Sequence, residues 1–159
     1  MKSKVYIETS VISYLTSHAS RDLIIVARQE LTRDMWPMLL SKFDVFVSAL
    51  VVQEAGRGDP DASAARLKAV EGMPVLDISD PVRALAQDLI ESKAIPDSHL
   101  EDALHVAVAA INGMEFLLTW NFGHINNAFT RARIRGVVEA EGYECPELCS
   151  PEELFGDEK

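Results

Sequence analysis

Cysteine is scarce in this sequence. The two present, Cys145 and Cys149, lack the paired spacing of a structural zinc site and read as reduced bystanders rather than ligands. HExxH is absent, the four histidines are scattered, and there is no glycine-rich phosphate cradle or nucleophile motif, which weighs against a hydrolase of small phosphoesters. No apolar run is long enough to span a bilayer, and no charged start with an apolar core and a small-residue cleavage site opens the chain. A cytoplasmic protein without membrane association is expected. Basic residues are also in short supply: 15 Lys and Arg face 25 Asp and Glu, a net charge of −10. That balance argues against broad electrostatic attraction to nucleic acid, which depends on basic groups displacing counterions from phosphates. It leaves room for a nucleic-acid enzyme, because many acids lie between Glu139 and Glu158, Arg131, Arg133 and Arg135 form a local basic run, and divalent cations held by carboxylates offset the formal count.

The 159 residues, 48% of them hydrophobic, suffice for one substantial core and are too few to make two expected. A single domain over residues 1–159 follows, with an acidic C-terminal tail from about 143. Strand and helix patterns alternate along it, without repeats or low-complexity linkers. Strands are expected at Val5–Ile7, Asp44–Ser48, Pro74–Ile78 and Glu115–Thr119. Between them fall a short helix over Val11–Leu15, a long apolar one from Leu23 to Leu40 that Pro37 should break or kink, and one over Ala49–Ala55. Further helices run from the Asp59-Pro60 start to about Glu71, from Ser79 to about Lys93, through Ala103–Ile111, and from about Asn126 to Glu141. Ser150-Pro151 caps a short last one. This order predicts an α/β fold of three layers, a central, mainly parallel, twisted sheet of four or five strands with helices on both faces. The Leu23–Leu40 segment has more apolar residues than one helix face needs, so it is either core or partly a contact with another chain.

The rest is organised around Val5-Tyr6-Ile7-Glu8-Thr9-Ser10, where three β-favouring residues deliver a carboxylate and two hydroxyls to the change from strand to helix. Open α/β sheets bind ligands beyond the carboxyl ends of their strands. Glu8 is thus either a site acid or a residue in the favourable field of a helix capped by Thr9 or Ser10. Glu54 lies in the helix after the second strand. Ser98 and Glu101 have the spacing of a capping box, which accounts for Glu101. In the helix that follows, Asp102 and His105 alone interrupt the apolar run and share a face. A carboxylate there is a site acid, a partner of the helix dipole, or an acceptor for His105. Asn121, after the fourth strand, is a turn residue or a ligand. Right-handed crossovers bring Glu8, Glu54, Asp102 and Asn121 to one edge of the sheet. All four supply oxygen, the donor preferred by Mg²⁺ and Mn²⁺. Without metal, clustered carboxylates repel, so a raised pKa on one of them, or a need for metal for full stability, is expected.

Four pieces resemble the PIN-domain family, and in particular VapC-like toxins of bacterial and archaeal toxin–antitoxin modules. They are Val5-Tyr6-Ile7-Glu8-Thr9-Ser10, Val51-Val52-Gln53-Glu54, Glu101-Asp102-Ala103-Leu104-His105 and Leu117-Leu118-Thr119-Trp120-Asn121-Phe122, in the family's order over nearly the whole length. The resemblance implies a PIN fold, an endoribonuclease dependent on Mg²⁺ or Mn²⁺, dimerisation, and inhibition by a cognate antitoxin. By position it implies that Glu8, Glu54 and Asp102 bind metal, that Asn121 takes the place of the last acid, and that Ser10 assists through its hydroxyl. Metal-activated water would attack an RNA phosphodiester in line, with His105 supporting Asp102. Two departures matter: the family's first acid is normally Asp, one methylene shorter than Glu8, and Asn121 brings no charge where Asp is usual. One tightly held ion is therefore expected rather than two. The rival readings are a PIN fold that has lost catalysis and serves as a protein-binding module, and another metal-dependent phosphohydrolase.

Overall fold

In the computed structural model, which describes residues 1–155, five strands form one fully parallel sheet in the order β3-β2-β1-β4-β5. The strands are β1 (Lys4–Ile7), β2 (Asp44–Ser48), β3 (Val75–Leu76), β4 (Phe116–Leu118) and β5 (Glu147–Cys149). Central β1 pairs Tyr6 with Phe46 on one side and with Leu117 on the other. Successive side chains of a strand point to opposite faces, and Val5, Tyr6 and Ile7 are all fully buried, so both faces of the sheet are covered. The expected α/β architecture of a parallel sheet with helical cover is the one found.

Among the described residues the α-helices are α1 (Thr9–Thr16), α2 (Leu23–Lys42), α3 (Ala49–Ala55), α4 (Pro60–Ala69), α5 (Asp80–Glu91), α6 (Leu100–Ile111) and α7 (Ala128–Ala140) between strands, and α8 (Pro151–Phe155) after the last. The core joins β1 and β4 to Ile12, Leu39, Leu89, Ile95, Ile125 and Ile134. Chain order steps outward from β1 through β2 to β3, then returns to place β4 on the other side of β1. The carboxyl ends of β1 and β4 therefore flank the switch point of the sheet, where ligands of such folds bind. There the Glu8 amide donates to the Leu118 carbonyl at 3.1 Å.

Three local expectations are corrected. Pro37 does not interrupt α2, which runs unbroken from Leu23 to Lys42 and starts with Asp22 accepting from the amides of Ile24 and Ile25 at 2.9 and 3.1 Å. A proline removes a single ladder bond, and buried Met35 and Leu39 on either side of it anchor the helix to the core. β5 lies within the stretch read as an acidic tail, where Glu147 and Cys149 pair with Phe116 and Leu118. Ser98 is in a 3₁₀ turn over Asp97–His99 and makes no capping box, since α6 begins after His99 without a side-chain cap. No helix among the described residues is long and apolar enough to cross a membrane.

Candidate active site

Glu8 is itself the N-cap of α1, a role the sequence reading assigned to Thr9 or Ser10. Its extended backbone ends β1, and its Oε2 accepts from the Ser10 amide at 3.1 Å. Both hydroxyls beside it are directed inward: Ser10 Oγ donates to Glu8 Oε1, and Thr119 Oγ1 donates to the same oxygen at 2.6 Å. Ser10 Oγ also accepts from the Trp120 amide at 2.9 Å, so the end of β4 is tied to the start of α1. Glu8 is 6% exposed. A carboxylate so enclosed is held at a fixed place by three donors.

Glu54, on α3, meets the residue between these two. Thr9 Oγ1 donates to Glu54 Oε1 at 2.6 Å, and His105 Nε2 lies 2.6 Å from the same oxygen. His105, 1% exposed, continues inward: its Nδ1 is 2.6 Å from the Tyr6 hydroxyl, which is 2.9 Å from Ser48 Oγ, the cap of α3. Burial alone would disfavour a charged ring, but the hydrogen bond to Glu54 and the fields of Glu8, Glu54 and Asp102 raise the His105 pKa. For Glu54 burial likewise works against the charged form, and the His105 bond and charge lower its pKa to about 2. With the ring protonated, Nε2–H donates to Glu54, Nδ1–H to the Tyr6 oxygen, and Tyr6 donates to Ser48. Burial and the two carboxylate fields keep the Tyr6 phenol protonated far above its ordinary range.

His105 is thus a partner of Glu54 and Tyr6, and its expected hydrogen bond to Asp102 is not made. One turn further along α6, its ring reaches down to β1. Asp102 faces outward to two other imidazoles: His124 Nδ1 is 3.2 Å and His99 Nδ1 3.7 Å from its Oδ2. Asn121 is likewise committed elsewhere. Its Oδ1 accepts from the His124 amide at 3.0 Å and closes the turn after β4, so the side chain of this loop that reaches Asp102 is His124.

Glu101 takes no part in a capping box, the role its spacing from Ser98 predicts. Its carboxyl shares a hydrogen bond with that of Glu54, and this bond, with burial, raises its pKa, while Arg57 Nη1 at 3.1 Å from Oε1 opposes the rise. The raised pKa expected on one of the clustered acids falls on Glu101, outside the expected set, and that of Glu54 is lowered. Tyr6, Ser48, Thr119, His99 and His124 also escaped notice. Tyr6 and Ser48 were hidden inside strand patterns, whereas His99 stands three residues before Asp102 and offered the same spacing signal as His105.

The structure therefore links Glu8 to Glu54 through consecutive residues Thr9 and Ser10, and Glu54 to α6 through His105, all at one edge of the sheet. It does not draw Glu8, Glu54 and Asp102 to ligand distance: among the described residues the group with three donor atoms within 4.8 Å of one another is His99, Asp102 and His124. The donor set nevertheless fits a hard divalent cation. Glu54 and Glu101 perturb each other's titration across this edge, and neighbouring carboxylate oxygens of this kind are the donors that hard divalent cations take. Cys145 and Cys149 are free thiols with no part in this edge, and burial pushes them up to about 11 and about 12.

An all-parallel sheet with carboxylates gathered beside its switch point defines the class of protein. The PIN-domain family model matches residues 5–129, and the chain belongs to the PIN-domain family. Among solved structures it is similar to a chain of VapBC2 from Rickettsia felis, whose complex was solved bound to a DNA fragment from its promoter. There the identity is 13%, the TM-score 0.60, and the match covers 92% of this chain and 98% of that one. It is also similar to VapC20 of Mycobacterium tuberculosis, a toxin that cleaves the sarcin-ricin loop, with 18% identity, a TM-score of 0.57, and 80% and 94% of the two chains covered. At such identities the likeness is one of fold. No curated protein matches the sequence at the level of significance required.

Proposed function

We propose that this PIN-domain protein is a divalent-metal-dependent endoribonuclease of the VapC toxin type, with Mg²⁺ or Mn²⁺ as its cofactor. The observation that carries the reading is the convergence of Glu8, Glu54 and α6, the helix of Asp102, on the switch-point edge through direct side-chain bonds. Glu8, Glu54 and Asp102 are the residues that would hold the ion. When bound, such an ion lowers the pKa of water and stabilises the leaving oxygen of a phosphodiester.

The chain's own residues prepare for this. The His105 hydrogen bond and charge favour the ionised form of Glu54, Ser10 and Thr119 fix the direction of Glu8, and Asn121 sets the path of the turn that carries His124. In this reading Ser10 is a positioning residue, and Asn121, besides closing the turn, orients a water or supports a weaker second metal site. The proposed partners are an RNA substrate, a cognate antitoxin and a second copy of the chain in a cytoplasmic homodimer.

Single-stranded RNA incubated with the protein and Mn²⁺ should be cleaved, and Asp102→Ala should abolish cleavage while leaving the circular dichroism spectrum intact. A folded Asp102→Ala protein with undiminished Mn²⁺-dependent cleavage would overturn the site. The alternative, a PIN fold serving as a protein-binding module, is favoured by the apolar side chains left exposed, Leu23 at 82% and Phe129 at 78%. It predicts no tight Mn²⁺ binding in a calorimetric titration.

A further inference from the structure

Two imidazoles and one carboxylate meet at the outer end of α6, in a combination that the oxygen chemistry of the proposed nuclease does not call for. His99 Nδ1 and His124 Nδ1 approach the same atom, Asp102 Oδ2, at 3.7 and 3.2 Å, and the three donor atoms lie within 4.8 Å of one another. Around an ion with bonds of about 2.1 Å, tetrahedral donors stand roughly 3.4 Å apart, so the three reach a common centre by drawing together and turning the two rings toward it. The two rings stack at 3.6 Å with 27° between their planes, so both are already held over the same carboxylate. Their carriers are fixed independently: His124 by Asn121, which accepts from its amide, and His99 by the 3₁₀ turn that leads into α6. The side chains are partly exposed, 39% for His99, 35% for His124 and 17% for Asp102, so an ion can enter and one coordination position stays open to solvent or ligand.

We propose that His99, Asp102 and His124 form a site for a borderline transition-metal ion, Zn²⁺ or a chemically similar ion such as Co²⁺ or Ni²⁺, that Mg²⁺ does not fill. Imidazole nitrogen suits these ions, whereas Mg²⁺ demands oxygen and near-octahedral geometry. The consequence is regulatory, and this consequence alone rests on the nuclease reading: Asp102 belongs to both donor sets, so an ion held by the two histidines withdraws it from the Mg²⁺ or Mn²⁺ site. Zn²⁺ then inhibits where Mn²⁺ activates.

The site is tested without RNA. Metal-stripped protein is titrated with Zn²⁺ by calorimetry and with Co²⁺ by visible absorption, alongside His99→Ala, His124→Gln and, as a control, His18→Ala. The expected result is one Zn²⁺ per chain, weakened at least about tenfold by either of the first two changes and unaltered by the third. The Co²⁺ spectrum should show ligand-field bands without a thiolate charge-transfer band. Zn²⁺ binding that survives the double variant His99→Ala and His124→Gln, or a thiolate band implicating Cys145 or Cys149, overturns the proposal, as does the absence of binding to the wild-type chain. Thermal unfolding of each variant confirms that it is folded. If the nuclease reading fails instead, Mn²⁺-loaded protein leaves RNA intact while the Zn²⁺ isotherm and its dependence on both histidines persist.

Discussion

His105 Nε2 and Glu54 Oε1 stand 2.6 Å apart, and through this contact the buried face of α6 orders a carboxylate on α3. The same ring holds Tyr6 of the central strand, so one side chain connects the sheet, two helices and the acidic edge.

The pair sets the pH range of stability. The His105 pKa is raised above 6.5, so its contribution is complete below about 6.5 and is lost as pH rises through the folded value. That of Glu54 is lowered from 4.5 to about 2, so its contribution is present above 4.5 and is lost as pH falls toward 2. Urea unfolding at a series of pH values should show a maximum between these limits. His105→Ala should cost about 3–5 kcal/mol, as expected for breaking a buried pair, and should remove the decline on the alkaline side.

Tyr6→Phe removes the hydroxyl between His105 and Ser48 and leaves both without that partner in the core. A loss of about 1–3 kcal/mol is expected in denaturant unfolding. Ser48→Ala, which also deletes the cap of α3, should cost about 1 kcal/mol.

Glu101 should titrate above the ordinary carboxyl range because it shares a hydrogen bond with Glu54. Carboxyl-carbon NMR of the metal-free protein would follow it directly. In Glu54→Gln the Glu101 titration should move down, and an unmoved curve would remove the pairing.

At position 121 the side chain acts as an acceptor for the His124 amide. Asn121→Asp retains an acceptor oxygen there and should preserve stability, whereas Asn121→Ala should cost about 1 kcal/mol and loosen the turn. Thermal unfolding of the two variants separates these outcomes.

Much of this edge could be read before the fold was known because β1, β4 and α6 are apolar runs whose polar interruptions stand out. Glu8 and Asp102 stand out by that contrast, and Glu54 by its place among Leu50, Val51 and Val52 in α3. The partners do not, since a partner depends on where a ring turns in three dimensions. At helical spacing Asp102 and His105 share a face, yet His105 lies a turn deeper and bonds Tyr6, while Asp102 meets His124 from a loop more than twenty positions away. The Ser98–Glu101 pattern was ambiguous for a local reason: a 3₁₀ turn occupies the place of the cap and frees Glu101 for Arg57 and Glu54. β5 escaped because its three residues sit in an acidic stretch and owe their strand state to pairing with β4.

The most direct measurement is anomalous diffraction from a crystal soaked in Mn²⁺. The account predicts an ion in direct contact with carboxylate oxygens of Glu8, Glu54 and Asp102, with Asp102 turned away from His99 and His124 to reach it. Ordered manganese elsewhere, with these three acids in their metal-free contacts, would contradict it.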